Sequence, residues 1–347
     1  MIYSIEDSVL SSIADAIRNK AGTSDVFEVT DFASAIDSIP SGGGDEDWIN
    51  YVEGNTTTVS GSASKIRSGA FALTNIIEAN FPSCTSIGTS AFYMCSNLLN
   101  ISASKCTYIG SLAFYNCFDL SEAVFPLVDI STTTDCRYMF ASCSNLTTAI
   151  FPICKNIASY MFQQCYNLTT VSFPECSAIG TDAFYNCYNN LTTASFPKCS
   201  MVGSSAFYNC SNLTTASFPE CFYIGDNAFS NCFNLTTISF PKCTNIRMSA
   251  FYKCSKLSIA IFPMCKAIGQ MTFYSCSKIE SLYINTSNCT LSNKNAFQYT
   301  PMSDSSYLGY FGSIYVPSEY VETYKSATNW VAYADRITAI PESMITE

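Results

Sequence analysis

The chain has 347 residues, of which 48% are hydrophobic and only 13% are charged, so it has enough apolar residues for a sizeable core and is not intrinsically disordered. It contains no histidine, which excludes Ser-His-Asp and Cys-His catalysis, histidine metal ligands and imidazole pH switches. Residues 1–53 hold 11 of the 27 acidic and 2 of the 17 basic side chains, and no basic stripe follows, so we expect no nucleic-acid partner.

Two short helices are predicted at the start of the chain. Apolar residues recur every four positions behind a capping pair, which indicates a helix over residues 5–20. Residues 30–39 favour a second helix. We interpret residues 1–40 as a small helical attachment module and residues 41–53 as a Gly-rich acidic linker. The first residues lack a basic segment followed by an apolar one, so we expect no Sec signal peptide.

The central part of the chain is an internal repeat with a period of about 22 residues. The units begin at Ile76, Leu98, Leu120, Leu146, Leu168, Leu191, Leu213, Leu235, Leu257 and Ile279. Two steps are longer, because residues are inserted near 132–135 and at Asn189–Asn190. A fixed period that tolerates insertions is typical of a solenoid. We therefore expect residues 54–300 to form about ten stacked units.

Each unit combines a strand pattern with a second apolar segment. Leu168, Val171, Phe173 and Cys176 follow the L-x-x-L-x-L-x-x-C pattern of a leucine-rich-repeat strand, and the alternating polar positions predict one buried face. The segment Asp182–Cys187 resembles one helical turn. The expected fold is an α/β solenoid, a right-handed superhelix with a parallel concave β-sheet and short helical turns on the convex side.

The repeat also carries a family resemblance. The pattern F-P-x-C-x-x-I-G-x-x-A-F-x-x-C-x-x-L resembles the BspA-like leucine-rich repeats of bacterial surface proteins, from Ile66 to about Phe297. The resemblance implies a scaffold for binding and adhesion. One departure is the spacing from Cys176 to Ile179, which is one residue longer than the commonest form.

A second resemblance concerns the ends of the chain. Residues 13–25 resemble a short module of phage tail and tail-fibre proteins of Gram-positive hosts, and the segment around Tyr324 and Trp330 resembles the closing part of such proteins. Residues 313–317 are predicted to form a last strand, and residues 319–333 a helix that covers the open end of the stack. We interpret residues 301–347 as a C-terminal strand-helix cap.

The 19 cysteines fall mainly into two columns, one from Cys84 to Cys265 and one from Cys95 to Cys276. Neighbours in a column are one strand spacing apart, so their Cβ atoms are expected ~4.8 Å apart, whereas a disulfide needs ~3.8 Å. A linear column also does not converge on a metal ion. We expect buried free thiols that act as small apolar fillers, and neither a metal nor another cofactor. Disulfides and metal binding are the alternatives.

The outward face of the predicted sheet is the first candidate binding surface. Its proposed ligand-binding residues are Thr170, Ser172, Thr193, Ser195, Thr215, Ser217, Thr237 and Ser239. The alternative is a solvated sheet face of good strand formers without a ligand. The array also resembles ice-binding surfaces, which the expected curvature of the sheet disfavours.

The second candidate is an aromatic corner that follows the core phenylalanines, formed by Tyr185, Tyr208, Tyr252 and Tyr274. Tyrosine suits binding surfaces because it combines apolar area with a polar tip. The alternative is that the rings pack along the stack and shield it.

The sequence shows no enzyme motif, since the repeat carboxylates recur with the repeat and do not converge. We predict a non-enzymatic scaffold that binds a protein or glycan on a cell surface, within a phage or prophage tail. The alternative is a BspA-like bacterial surface adhesin. No apolar run suffices for membrane insertion. The expected location is extracellular, on a virion tail or a bacterial surface, or cytoplasmic until release.

Overall fold

The computed structural model describes residues 57–130, 136–303 and 311–342, which wind into a parallel-strand solenoid of about 12 turns. The helical module expected over residues 1–40 and the linker over 41–53 lie outside the described residues. The right-handed sense of the superhelix, the concave curvature of its sheet and the domain boundaries stay predictions.

Each coil contains a first strand of three or four residues. The first strands are Thr58–Ser60, Glu78–Asn80, Asn100–Ser102, Glu122–Val124, Thr148–Ile150, Thr170–Ser172, Thr193–Ser195, Thr215–Ser217, Thr237–Ser239, Ile259–Ile261, Ser281–Tyr283, Ser313–Val316 and Ile337–Ala339. Neighbouring first strands pair in parallel and in register, and they form three groups of paired strands. The first group ends at Ser102 and the second at Ser172. The second break coincides with the insertion at Asn189–Asn190, so the inserted residue interrupts the ladder without ending the stack.

A second strand of two residues follows in most coils. The second strands are Lys65–Ile66, Ser86–Ile87, Tyr108–Ile109, Asn156–Ile157, Ala178–Ile179, Met201–Val202, Tyr223–Ile224, Asn245–Ile246, Ala267–Ile268 and Thr290–Leu291. They also pair in parallel. The apolar residue of each pair is buried, which explains why Ile or Val recurs before the glycine of the repeat.

The first strands begin two residues after the leucine or isoleucine that starts each unit. Leu213 is fully buried, and the strand Thr215–Ser217 directs its two hydroxyl residues outward. Phe218 then returns to the core. The predicted alternation is therefore confirmed, while the leucine itself lies in the turn that precedes the strand.

The short helical turns predicted opposite the sheet are wrong. Asp182 and Asn186 have φ angles of 53° and 63°, which lie in the left-handed region and cannot belong to a right-handed helix. The amides of Asp182, Phe184 and Asn186 donate to carbonyls of the next coil over 2.8 to 2.9 Å, while the amides of Tyr185 and Cys187 close local turns. This segment is thus a chain of tight turns in which every second amide links neighbouring coils.

Stacked phenylalanines fill the space between the strands and the turns. Phe207 stacks on Phe184 and Phe229 at centroid distances of 5.0 and 5.2 Å. It also meets the strand residue Phe218 edge-on at 5.9 Å. Because each ring contacts rings of both neighbouring coils, no single coil closes a core by itself.

The C-terminal cap differs from the single helix expected over residues 319–333. It comprises a 3-10 turn at Ser318–Tyr320, an α-helix at Val321–Ser326 and a 3-10 segment at Trp330–Arg336. Asn329 divides the helical segments with a φ of 65°. The chain then returns to the sheet, because Ile337–Ala339 pairs in parallel with the strand that was expected to be the last.

The cap supplies hydrogen-bond donors to the end of the stack. The Trp330 indole donates to the carbonyl of Cys289 at 2.7 Å, and the Asn329 amide donates to the carbonyl of Leu291 at 2.7 Å. The Tyr324 hydroxyl donates to the carbonyl of Thr286 at 3.0 Å. No further coil follows to donate hydrogen bonds to these carbonyls. The cap supplies the missing donors.

Candidate functional site

The first-strand face, which is the outward side of the first strands, brings together six of the eight predicted hydroxyl residues. Thr193, Thr215 and Thr237 form one row across three paired strands, and Ser195, Ser217 and Ser239 form the other. All six are exposed. Thr170 and Ser172 pair instead with the strand Thr148–Ile150, in the group on the other side of the insertion.

Threonine hydroxyls on this side of the solenoid fall into two classes. Those that precede the strand bond backward along the stack, as when Thr169 donates to the carbonyl of Thr147 at 2.8 Å and Thr214 to that of Thr192 at 3.0 Å. Within the strands, Thr215 donates to the Thr193 hydroxyl at 3.3 Å. The hydroxyls of the three serines in the other row bond to no other described residue. They remain available to a ligand.

The first-strand face becomes apolar toward the C-terminal end. Ile261 lies opposite Tyr283 in the register, and Tyr283 lies opposite Tyr315. The two tyrosine rings stack at 4.6 Å with an interplanar angle of 8°. The repeat pattern did not single out this pair, although the strand alternation places both residues at the third, outward position of their strands.

The predicted aromatic corner is two separate pairs of rings. Tyr185 stacks on Tyr208 at 5.0 Å, and Tyr252 stacks on Tyr274 at 5.2 Å. Ser230 occupies the intervening coil and is buried. All four tyrosines are half-buried, so the rings pack along the stack and are only partly exposed to solvent.

A ladder of asparagines runs along the corner that precedes the first strands. Asn167 donates to the side-chain oxygen of Asn145 at 3.4 Å and accepts from the amide of Asn189 at 3.1 Å. Asn234 likewise donates to Asn212 at 3.1 Å. The asparagine amides therefore bond chiefly to each other.

The two cysteine columns use their thiols differently. In the column that contains Cys176, each thiol donates to the carbonyl two residues later, at 3.3 Å in the case of Ala178. In the column that contains Cys187, each thiol donates to a phenylalanine carbonyl of an earlier coil, here Phe162 at 3.2 Å. All 19 cysteines are buried as free thiols. Each combines small volume with a weak donor for a turn carbonyl.

Burial raises the pKa of several of these thiols and keeps them protonated at neutral pH. It raises the pKa of Cys95 to about 11 and the pKa values of Cys106 and Cys221 to about 12. A protonated thiol is a poor nucleophile and a poor metal ligand. Among residues 57–130, 136–303 and 311–342, no three acidic or cysteine side chains are grouped around a possible metal position.

Charged side chains of the repeat form pairs between neighbouring coils. Lys198 contacts Glu175 at 2.6 Å, and Lys242 contacts Glu220 at 2.6 Å. Both pairs are half-exposed, so each contributes little to stability. The carboxylates are therefore spaced along one edge of the stack, where they face lysines.

A cavity of about 500 Å³ lies where the last regular coil meets the cap. It is lined by Lys266, Thr286, Ser287, Asn288 and Thr290. All five lining residues have polar side chains and none of them is a carboxylate, so the cavity offers no acid and base pair. Within the part of the chain that the structure describes, no helix has the length and apolar character that a membrane span requires.

Several solved structures of leucine-rich-repeat proteins are similar to this chain. One is a leucine rich cell surface protein from Faecalibacterium prausnitzii, at 20% identity and a TM-score of 0.46, with 81% of this chain and 91% of that chain covered. A leucine-rich repeat protein from Bacteroides ovatus is 19% identical, with a TM-score of 0.46 and coverages of 80% and 88%. The pneumococcal vaccine antigen PcpA is 16% identical, with a TM-score of 0.44 and coverages of 80% and 69%.

The family comparison rests on the repeat. No curated protein sequence matches the chain. The profile of the BspA type leucine rich repeat region matches in six copies, over residues 64–191, 133–258 and 200–315. These matches cover more than half of the chain and coincide with the stacked coils. The chain therefore belongs to the BspA-type leucine-rich repeat family.

Proposed function

We propose that the chain is a non-enzymatic recognition scaffold that binds a protein or glycan on a cell surface through its first-strand face. The observation that carries this proposal is the row of Ser195, Ser217 and Ser239 hydroxyls, which are exposed, lie on adjacent strands and bond to no other described residue. The stack holds these groups at a strand spacing of ~4.8 Å. A ligand meets them without a rearrangement of the scaffold.

Binding through this face is weak per contact. A single hydrogen bond contributes about 1 kcal/mol net, so affinity must come from several coils at once or from several copies of the chain. The Tyr185–Tyr208 pair is the alternative site, because tyrosine anchors contribute more per residue than small hydroxyls do. Its half-buried, stacked rings support a packing role more directly than a binding role.

Three variants of the full chain separate the two sites. T193K/S195K/T215K/S217K places four charges on the first-strand face and leaves the buried Leu213 untouched. Y185A/Y208A removes the alternative anchors. The control M201K/F222K/N245K/M248K adds the same four charges at exposed positions of the second-strand side.

The measurement is binding to a glycan array and to whole Gram-positive cells, with circular dichroism as the check on folding. We expect only the first-strand variant to lose binding. If it binds like the unmodified chain while Y185A/Y208A does not, the first-strand assignment is wrong. If all three bind normally, the repeats act as a spacer.

The proposed scaffold has no catalytic activity. The repeat carboxylates Glu175 and Glu220 face lysines of neighbouring coils, and the cysteines are buried thiols. An assay of the purified chain against the glycans it binds tests this directly, since product formation above the rate of the first-strand variant would contradict it.

The biological setting is either a bacterial surface or a phage tail. Membership in the BspA-type family supports the surface adhesin, whereas the tail-associated role rests on residues 13–25, which lie outside the described residues. Deletion of residues 1–44 should abolish incorporation into phage particles and preserve the melting of the repeats. Incorporation of the deleted chain would contradict the tail-associated role and leave the adhesin.

A further inference from the structure

Two cysteines, Cys136 and Cys289, stand outside the two columns, and Cys289 contacts another cysteine directly. The Cys289 thiol lies 3.6 Å from the Cys265 sulfur, and both residues are buried. The contact lies at the seam between the last regular coil and the C-terminal cap. The carbonyl of Cys289 accepts the Trp330 indole, and the carbonyl of Cys265 accepts the Thr286 hydroxyl at 2.8 Å.

The register explains why this pair differs from the pairs within a column. Cys176 and Cys199 each lie two residues before a paired position, so they face each other across the strand spacing. Thr290 pairs with Ala267, which places Cys289 opposite Lys266 and one residue out of line with Cys265. A diagonal step of this kind separates Cα atoms by roughly 5.8 Å, from one strand spacing and one residue rise. Bridged cysteines prefer about 5.5–6 Å.

We propose that Cys265 and Cys289 form a disulfide when the chain meets a low-molecular-weight disulfide, and that the bond fastens the segment Thr286–Leu291, on which the cap docks, to the coil that contains Cys265. The segment Thr286–Leu291 carries three of the cap's hydrogen bonds, from Tyr324, Asn329 and Trp330. A covalent link from this segment to Cys265 therefore resists opening of the C-terminal end.

The chemistry is a thiol–disulfide exchange in two steps. The Cys289 thiol loses its proton, and its sulfur attacks one sulfur of the small disulfide, which gives a mixed disulfide and releases one small thiolate. The Cys265 thiol then loses its proton and attacks the Cys289 sulfur, which forms the new bond and releases the second small thiolate. The cysteine pair loses two electrons and two protons, and the small disulfide is reduced to two thiols.

The closed structure slows the first step. Contact with Cys265 and burial raise the pKa of Cys289 well above its usual range, so little thiolate is present while the cap is docked. The exchange rate should therefore rise with pH between 7 and 9. In-register pairs such as Cys176 and Cys199 stay reduced, because their parallel side chains hold the Cβ atoms too far apart.

The test compares the reduced full chain with the chain treated with oxidised glutathione. Both are alkylated after unfolding, digested with trypsin and analysed by mass spectrometry. Cleavage after Lys256, Lys266, Lys278 and Lys294 puts Cys265 and Cys289 into separate peptides, residues 257–266 and 279–294, each with one cysteine. We expect a cross-link of these two peptides, two thiols fewer than the original 19, and a melting temperature several degrees higher.

The variant C289S is the main control, and C199S is the matched control within a column. C289S should keep all its thiols under glutathione and show no change in melting, whereas C199S should form the cross-link normally. The proposal is overturned if the treated chain keeps all 19 thiols, if Cys289 carries only a glutathione adduct, or if cross-links appear between in-register cysteines. The cross-link and the alkylation count are read directly, so they decide the question even where C289S folds poorly.

Discussion

The thiol of Cys187 donates to the backbone carbonyl of Phe162, one coil earlier, over 3.2 Å. The same carbonyl accepts the backbone amide of Cys165 at 3.2 Å, so the thiol of the following coil is its second donor. A residue at this position must be small enough for the stack, apolar enough for the core and able to donate. Cysteine meets all three requirements, which explains its recurrence without disulfides or metals.

Replacement of Cys187 by alanine should destabilise the chain by about 0.5–1.5 kcal/mol, the net contribution of one hydrogen bond. The measurement is the urea midpoint of the reduced chain. The control is S195A, since the exposed Ser195 hydroxyl bonds to no other described residue. Equal midpoints for C187A and S195A would show that the thiol bond contributes nothing.

Thiol titration should distinguish burial from exposure. In reduced chain freed of reductant just before the assay, we expect few thiols to react while it is folded and nearly all 19 to react after unfolding, because burial raises the pKa of residues such as Cys95 and Cys106. Fast reaction of many thiols in the folded chain would contradict the packed columns.

Glycine substitutions should reveal the left-handed positions of the turns. Lys253 has a φ of 58°, where a non-glycine residue is strained by roughly 1–2 kcal/mol. Lys256 is also exposed but has no positive φ, so glycine there only adds freedom to the unfolded chain, at about 0.4–1 kcal/mol. We expect K253G to be more stable than K256G by about 1–2 kcal/mol in urea unfolding. The reverse order would refute the turn geometry.

Asp182 should make stability depend on pH. Burial raises its pKa to about 6, above the value of about 3.9 expected in the unfolded chain. Between these values the folded chain binds more protons, so stability falls as pH rises from about 4 to about 6. D182N should remove this dependence and raise the melting temperature at pH 7, because Asn227 already occupies an equivalent left-handed position with a φ of 56°. A D182N melting profile that keeps the slope would assign it to another group.

The buried positions were predictable, but the path of the backbone between them was not. The period, the buried Leu213 and Phe218 and the exposed Thr215 follow from alternation alone. The spacing of Phe184 and Cys187, by contrast, fits both a helical turn and a chain of tight turns. The φ angles of Asp182 and Asn186 decide between the two structures. These angles depend on hydrogen bonds to the next coil, so the sequence of one unit does not reveal them.

The candidate site was likewise predictable only where the repeat is regular. The hydroxyl rows were predictable because they lie on regular coils, whereas Tyr283 and Tyr315 lie on the irregular last coils, where the repeat pattern fades. The predicted aromatic corner joined four tyrosines into one surface, and Ser230 divides them into two pairs. The alternation of the first strands, continued to the last coils, places Tyr283 and Tyr315 on the outward face.

The hydrogen bonds between side chains of neighbouring coils run in one direction along the stack, and this direction favours one order of folding. In the asparagine ladder and the Cys187 column, the donor belongs to the later coil and the acceptor to an earlier one, as in the bonds from Asn167 to Asn145 and from Cys187 to Phe162. A coil that leaves the ribosome thus meets a finished surface that already displays the acceptors for its side chains. We expect the chain to assemble in the order of its synthesis, with the docking of Trp330 onto Cys289 and the pairing of Ile337–Ala339 as the last events.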